Sequence, residues 1–462
     1  MISIAFAIAS LVAVVYVGFL IAGWIDPDFV FDNWLARISI MHLLGAGAVA
    51  WILSVYVLLT HRLQIWPVYA FIVIGTFFAR QHFKRAFRPA TASKAPQCRF
   101  SILSLICGVV IIVALLCVVF RIPAGMGYDA YAFWAFKAKA FFASGDISFL
   151  LDPSNRSVGS SSIPWPYCVH ADYPLMLPLY GWWVYAHLGH VSEHWMQAIN
   201  VFFYVNLITL FYFCARREAS PAIALIGLCI LVASRPLILY STVVYSDIIL
   251  SAYFLTSGYF LYRTMNENKP SDARMLCLLS GSMVMVKNEA LAWMVVTLLI
   301  YAVVNFKSQQ NRRTGFLLLA MIVGYLPWWI IKHSAKLDAA TLREDSFNPI
   351  SQSIRILLPR GRDLCVAIAR QLFGIGPQYP AWGLGWILIL GSLFRARSTK
   401  LKGLNAFGLL GLSQFCIYML LFMQISNFWF WVTTFLDRAL VHVYPGLLLY
   451  ALITSFPQQE KS

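Results

Sequence analysis

The sequence predicts an all-α protein that crosses a membrane many times, and three observations carry that prediction. Of its 462 residues, 60% are hydrophobic and only 12% are charged, where soluble domains carry about 25% charged residues. The mean hydropathy is +0.72. Apolar stretches of near-spanning length recur from end to end, separated by short basic turns. The net charge of +16 fits turns that set topology and meet anionic headgroups or phosphate ligands, and it gives no reason to invoke nucleic acid. Nine cysteines lie mostly inside hydrophobic runs, without CxxC or metal-ligand spacing, which argues against a disulfide framework or a structural zinc site.

Residues 2–23 lack a basic leader and a small-residue cleavage site, so they read as a retained transmembrane helix. Stretches 39–60 and 65–79 follow. If 65–79 spans, there are thirteen helices and the N-terminus lies outside; if it is re-entrant, there are twelve and it lies inside. Arg80, Lys84, Arg85, Arg88, Lys94 and Arg99 then place six cations within twenty residues, a cytoplasmic marker. That makes 101–120 run outward.

The alternation continues from there. Span 196–214 returns to Arg216 and Arg217, 221–234 goes out, and 243–262 returns to Arg263. Span 273–286 goes out, and 290–306 returns to Lys307, Arg312 and Arg313. Then 316–331 goes out, 381–394 returns to Arg395, Arg397, Lys400 and Lys402, 404–425 goes out, and 439–456 returns. Every expected inner turn is basic.

Four regions result. Residues 1–100 are an N-terminal transmembrane extension ending in a basic cytoplasmic loop. Residues 101–331 are a core containing a long outer loop, 121–195. Residues 332–380 are a basic outer loop carrying Arg343, Arg355, Arg360, Arg362 and Arg370, and 381–462 are C-terminal helices.

The long loop opens on Gly125 to Phe142, where one carboxylate, Asp129, precedes Tyr131, Phe133, Trp134 and Phe136 and the lysines Lys137 and Lys139. An aromatic, basic, amphipathic stretch of this kind lies in the membrane interface. The polar segment 154–166 follows. Stretch 175–189, broken by Pro174, Pro178 and Gly181, is expected to be interfacial as well.

His170 and Asp172 share this loop. Asp247 lies at the outer start of a helix, Lys287-Asn288-Glu289 form an outer turn, and Asp437-Arg438 begin the last expected span. A topology assigned without these residues puts them all on one face. Ionisable groups at membrane helices are costly and usually functional; for each alone, the competing reading is an interfacial charge or a structural ion pair. His42, His61, His82, His187, His190 and His194 are scattered, and a solvated or satisfied core histidine is the default for each.

In order, Gly-Tyr-Asp-Ala130 with Phe-Lys-Ala-Lys139, His-Ala-Asp-Tyr-Pro-Leu-Met-Leu-Pro178, Tyr-Ser-Asp-Ile248, Lys-Asn-Glu-Ala290 and Phe-Leu-Asp-Arg-Ala-Leu-Val-His-Val-Tyr-Pro445 resemble the motifs of GT-C type integral-membrane glycosyltransferases. The similarity is to the bacterial protein-mannosyltransferase-like branch and covers about residues 100 to 450. Tyr128 stands where that branch has Trp, Ala171 where it has Pro, and Ala290 where it has Gly. The paired acids of many such enzymes are reduced to Asp129, and the first hundred residues have no counterpart in the minimal core.

The resemblance implies a bundle of about 12–13 transmembrane helices with interfacial helices in the first outer loop. It implies transfer of a hexosyl or pentosyl group from a polyprenyl-phosphate carrier to an envelope glycan, lipid or protein. The reaction would run at the outer, periplasmic face of a bacterial inner membrane, as a single displacement with inversion. In that setting Asp129 is the expected general base and Asp172 its partner or substitute. Lys287 and Arg438 are expected to carry the leaving phosphate, while Asp247 and Glu289 orient those cations or bind sugar hydroxyls. Lys137, Lys139, His170, Tyr173 and Asn288 complete the expected substrate-binding set. One loop carboxylate is a poor cage for Mg²⁺ or Mn²⁺, so no metal or other cofactor is expected. The alternative is a flippase or transporter of lipid-linked saccharides, against which stands the lack of a paired pattern of broken helices in two halves.

Overall fold

The computed structural model describes residues 2–25, 33–86, 102–122, 125–151, 171–305, 311–337, 350–374, 382–395, 402–425 and 428–457. His170, the segment 154–166, and Arg88, Lys94, Arg99, Lys307, Arg343, Arg397 and Lys400 lie outside the described residues. Within them the chain is helical. The N-terminal part holds α1 (Ile2–Ile25), α2 (Trp34–Thr60) and α3 (Trp66–Ala86), and α4 (Ile102–Arg121) follows. The long loop contains α5 (Ala135–Ser144), α6 (Ser148–Leu151) and α7 (Met176–Leu188). Next come α8 (Glu193–Glu218), α9 (Pro221–Val232), α10 (Arg235–Thr242), α11 (Asp247–Glu267), α12 (Pro270–Met283), α13 (Ala290–Asn305) and α14 (Asn311–Ser334). The chain ends with α15 (Ile350–Phe373), α16 (Gly385–Arg395), α17 (Lys402–Gln424) and α18 (Phe428–Ser455).

By length and composition, six described helices, α1, α2, α4, α8, α17 and α18, are apolar enough to cross a membrane. Helices α9 and α10 make a seventh if their 64° bend is one broken span, and α3, α13 and α16 add shorter apolar helices. Stretch 65–79, for which a re-entrant loop was one alternative, falls from Trp66 onward within one unbroken helix, α3, beside α1 and α2.

Position in the bundle follows apolar coverage. In α18 the most apolar window is 94% buried, whereas in α4 it is 17% buried. Helix α18 therefore runs through the centre, against α11, α16 and α17. Helix α4 turns Leu105, Val109, Ile112 and Leu116 outward, a surface that suits lipid. Helices α1 and α2 touch backbone to backbone, because a Cβ on Gly18 would fall on the Met41 carbonyl oxygen and one on Gly45 on that of Val14. Small residues at a crossing are how apolar helices gain contact within lipid.

Two elements differ from expectation. The last helix begins at Phe428 rather than near 439, so Asp437 and Arg438 sit inside it. The aromatic run Phe428 to Trp431 carries the helix on past a charged pair that depresses its hydropathy. The basic loop contains the 24-residue helix α15. Its Leu364, Ala367 and Leu372 are buried, while Arg362 and Arg370 are exposed. Arg360 donates to the carbonyls of Met423 (3.0 Å) and Ile425 (2.7 Å), tying α15 to the end of α17.

The N-terminal helices hold α7, the helix that follows Asp172. Trp183 Nε1 donates to the Ser10 carbonyl of α1 (3.0 Å). His42 of α2 meets the Tyr180 hydroxyl through Nε2 (2.8 Å) and the Asn206 amide through Nδ1 (2.6 Å). His187 Nε2 meets the Tyr69 hydroxyl of α3 (2.8 Å). An amide donor on Nδ1 leaves the His42 proton on Nε2, where it donates to Tyr180. All three groups at His42 are buried, so His42→Phe strands a hydroxyl and an amide, at a cost of about 1–3 kcal/mol. Purified His42→Phe should melt several degrees below wild type; an unchanged melting temperature would show that the contact does not hold α7.

Candidate active site

Two glycines bring the first acidic segment to the second. Gly125 and Gly127 have φ of +92° and +82°, a region favouring glycine. A Cβ on Gly127 would also strike Val243 and lie 3.1 Å from the Tyr245 hydroxyl. This close approach lets Val244 N–H donate to Met126 O (3.0 Å) and Asp129 N–H donate to the Tyr245 hydroxyl (3.3 Å). Asp129 and Asp247 are thereby fixed on neighbouring strands of chain, and Asp247 begins α11, where the helix dipole favours a carboxylate.

The cations arrive from two other places. Lys287 sits in a tight turn closed by Ala290 N–H to Lys287 O (3.1 Å) and Leu291 N–H to Asn288 O (3.0 Å). Arg438 and His442 are four residues apart on α18, so both face α11. Asp247 is fully buried. Its Oδ1 accepts from Lys287 Nζ (2.9 Å) and His442 Nε2 (2.7 Å), and its Oδ2 accepts from Arg438 Nε (3.0 Å).

Arg438 Nη1 also pairs with Asp129 Oδ2, and its guanidinium lies 4.4 Å from the Tyr245 ring centroid and 4.7 Å from that of Phe435. Lys287 further pairs with Glu289 Oε1 (3.0 Å). A His442 Nε2 that donates to a carboxylate leaves Nδ1 to accept from the Tyr418 hydroxyl (2.7 Å). A buried carboxylate with every oxygen met by a cation or donor offsets its desolvation.

Of the expected residues, Asp129, Asp247, Lys287, Glu289 and Arg438 thus form one network. Asp172, Tyr173 and Asn288 make an adjoining tier. Asn288 Nδ2 donates to the Asp172 carbonyl (3.3 Å) and to its Oδ2 (3.4 Å). Lys137, fully buried, donates to Tyr173 O (3.3 Å). Met176 N–H donates to Met285 O (2.9 Å), locking this tier to the Lys287 turn. Lys139 stands apart: it pairs with Glu193 (2.7 Å), which also accepts from the Tyr131 hydroxyl (3.1 Å). Asp437 turns away from the Arg438 guanidinium, to the Tyr240 hydroxyl (2.6 Å).

His442, Tyr418 and Tyr245 were not singled out from the sequence. His442 was legible, four residues after Arg438 on one helix face. Tyr418 carried no signal of its own, since its role depends on α17 packing beside α18.

Lys287, Glu289, Arg438, His442 and Tyr418 line a cavity of about 120 Å³ together with the apolar Leu421, Phe422, Ile425, Trp431 and Phe435. Among the described residues, no three His, Cys, Asp or Glu side chains converge to hold a metal ion.

Two loop carboxyls respond oppositely to their surroundings. Burial pushes the Asp172 carboxyl above its ordinary 3.8, with Lys137 and Lys332 opposing. For Glu289, burial also acts upward, but Lys287 outweighs it and the carboxyl is held below its ordinary 4.5. The stability Glu289 contributes is present above about pH 4.5 and is lost as pH falls through its folded value. Asp172 behaves in reverse: its contribution is greatest in acid and declines as pH rises from 3.8 through the raised value. Asp172→Asn should therefore melt at or above wild type near pH 7, with the difference shrinking toward about pH 4. A deficit largest near pH 7 would contradict this assignment.

No family model and no curated protein matches this sequence. Two solved structures resemble the chain. One is ArnT from Cupriavidus metallidurans bound to undecaprenyl phosphate, with a TM-score of 0.50 at 16% identity, covering 77% of this chain and 60% of that one. The other is the same protein in the apo state, with a TM-score of 0.49 and the same identity and coverage. The chain thus spans about three-fifths of the ArnT length, 60%. At this identity the likeness shows the fold alone: the chain is a multi-pass membrane protein whose helical architecture resembles that of ArnT.

Proposed function

We propose that the protein transfers a sugar from a polyprenyl-phosphate carrier to an acceptor hydroxyl at the outer face of a bacterial inner membrane. The observation that carries this reading is the cavity, in which Lys287 and Arg438, held by Asp247, share the lining with Phe422, Trp431 and Phe435. A lipid phosphate needs that pairing: cations for its head and apolar surface for the first isoprene units. The fold supports it, since the ArnT of similar architecture was solved with undecaprenyl phosphate bound.

Lys287 spends two of its three N–H donors on Asp247 and Glu289, and Arg438 spends Nε and Nη1 on Asp247 and Asp129. The third lysine donor and Nη2 remain for phosphate oxygens. As the acceptor oxygen attacks the anomeric carbon, the bond from that carbon to the phosphate oxygen breaks. These donors then meet the charge that collects on the departing phosphate. The acceptor hydroxyl must lose its proton, and Asp129 Oδ1 is the base. Asp129 is 14% exposed, so an acceptor can reach it from outside the bundle. One displacement inverts the anomeric configuration. The acceptor is an envelope glycan, lipid or protein, and the residues supply base and cations without a metal.

Binding tests this reading. Polyprenyl phosphate should raise the melting temperature of the purified protein, the uncharged polyprenol should not, and Lys287→Gln should weaken phosphate binding about tenfold. Equal stabilisation by alcohol and phosphate would refute a phosphate site.

A further inference from the structure

His442 and Tyr418 line the cavity beside Lys287, Glu289 and Arg438, yet neither meets the substrate in the proposed transfer. His442 is buried. The titratable and charged groups that face it are Asp247 of α11, Lys287 and Glu289 of the tight turn, Arg438 one turn earlier on α18, Tyr418 of α17, and Tyr173 across the cavity. Among the described residues, this hub sets two cations, Lys287 and Arg438, against three carboxylates, Asp129, Asp247 and Glu289. The next cations, Lys137 and Lys332, act on Asp172 instead. A carrier phosphate therefore enters a site with more anions than cations and adds another anion. Gathered negative charge favours the protonated form of a neighbouring base, and His442 is the cavity group whose ordinary pKa lies nearest neutrality.

We infer that binding of the carrier phosphate draws a proton from water onto His442 Nδ1, and that this proton turns the Tyr418 hydroxyl toward the phosphate. Neutral His442 spends its N–H on Asp247 and accepts from Tyr418 at Nδ1 (2.7 Å). The imidazolium donates at both nitrogens, so it keeps Asp247 and gives its new N–H to the Tyr418 oxygen. The bond reverses with no heavy atom moving, because a separation of 2.7 Å suits either direction. The Tyr418 O–H is then released into the cavity it lines. One proton thus supplies the phosphate with a nearby positive charge and a hydrogen-bond donor. The inference rests on the proposed phosphate site.

The test titrates the full chain in nanodiscs with farnesyl methyl phosphate. This diester lacks the second ionisation, near about pH 6, of a phosphate monoester, so any proton exchanged belongs to the protein. Calorimetry in buffers of different ionisation heat counts the protons. Wild type should take up about half a proton to one proton, and should bind about tenfold or more weakly at about pH 8 than at about pH 6. His442→Gln, whose amide can still donate to Asp247, should take up none and bind with little dependence on pH. Tyr418→Phe should weaken binding about threefold to tenfold near about pH 6, where the hydroxyl meets the phosphate, and by less than about twofold near about pH 8. Binding by wild type without proton uptake, or uptake that survives in His442→Gln, overturns the inference and leaves the phosphate site standing. An equal effect of Tyr418→Phe at both pH values overturns it independently. Failure of both the diester and polyprenyl phosphate to bind overturns the transferase reading and this inference with it.

Discussion

Asp247→Ala should cost about 3–5 kcal/mol of stability, the usual result of removing one partner from a buried ionic network. The carboxylate holds three donors, Lys287, Arg438 and His442, at 2.9, 3.0 and 2.7 Å. Without it, two cations with 4% and 7% exposed side chains face no buried anion of equal reach. Arg438 keeps Asp129 and Lys287 keeps Glu289, which is why the loss should not be larger. Asp247→Asn keeps one acceptor oxygen and should fall between. Adding Lys287→Met to Asp247→Asn should restore part of the stability, because removing both members of a buried pair costs less than stranding one. Thermal melting of the three variants in detergent measures this. A melting temperature for Asp247→Ala equal to wild type would mean that Asp247 is not the hub of the network.

Asp247 lies 118 positions from Asp129 and 191 from Arg438 in the chain, yet much of the site was legible. Basic turns fixed the side of each ionisable residue, and a common side is necessary for a common site. Most helices lie within a few residues of the apolar runs, such as 101–120 against Ile102–Arg121. Where sequence and structure part, packing decides. Helix α15 hid behind its arginines because half of it buries apolar groups on α17. Lys137 and Lys139 look equivalent on one stretch, but they are two residues apart on a helix and point to different surroundings. One is buried beside Tyr173, and the other pairs with Glu193 in the open. The Tyr418–His442 bond could not be read, since no local pattern in α17 announces a partner on α18.

Asp129→Asn should lower transfer by about 10²–10⁴-fold, the range expected for loss of a positioned general base. Its fold should survive. Asparagine keeps an oxygen for Arg438 Nη1, and the backbone bonds of Met126 and Asp129 to the 243–245 segment do not involve the side chain. Affinity for polyprenyl phosphate should change little, because the phosphate is met by Lys287 and Arg438. If Asp172 were the base instead, Asp172→Asn would show the large loss and Asp129→Asn a small one.

The most direct measurement is sugar transfer by purified protein. It would use a panel of radiolabelled polyprenyl-phosphate sugars with envelope extract as acceptor, wild type beside Asp129→Asn at matched folded concentration. Label moving to acceptor with wild type, and about 10²-fold or more slowly with the variant, is the predicted result. Equal turnover in both would contradict Asp129 as the base. No transfer from any donor, together with protein-dependent movement of the lipid-linked sugar across a vesicle membrane, would contradict the transferase itself.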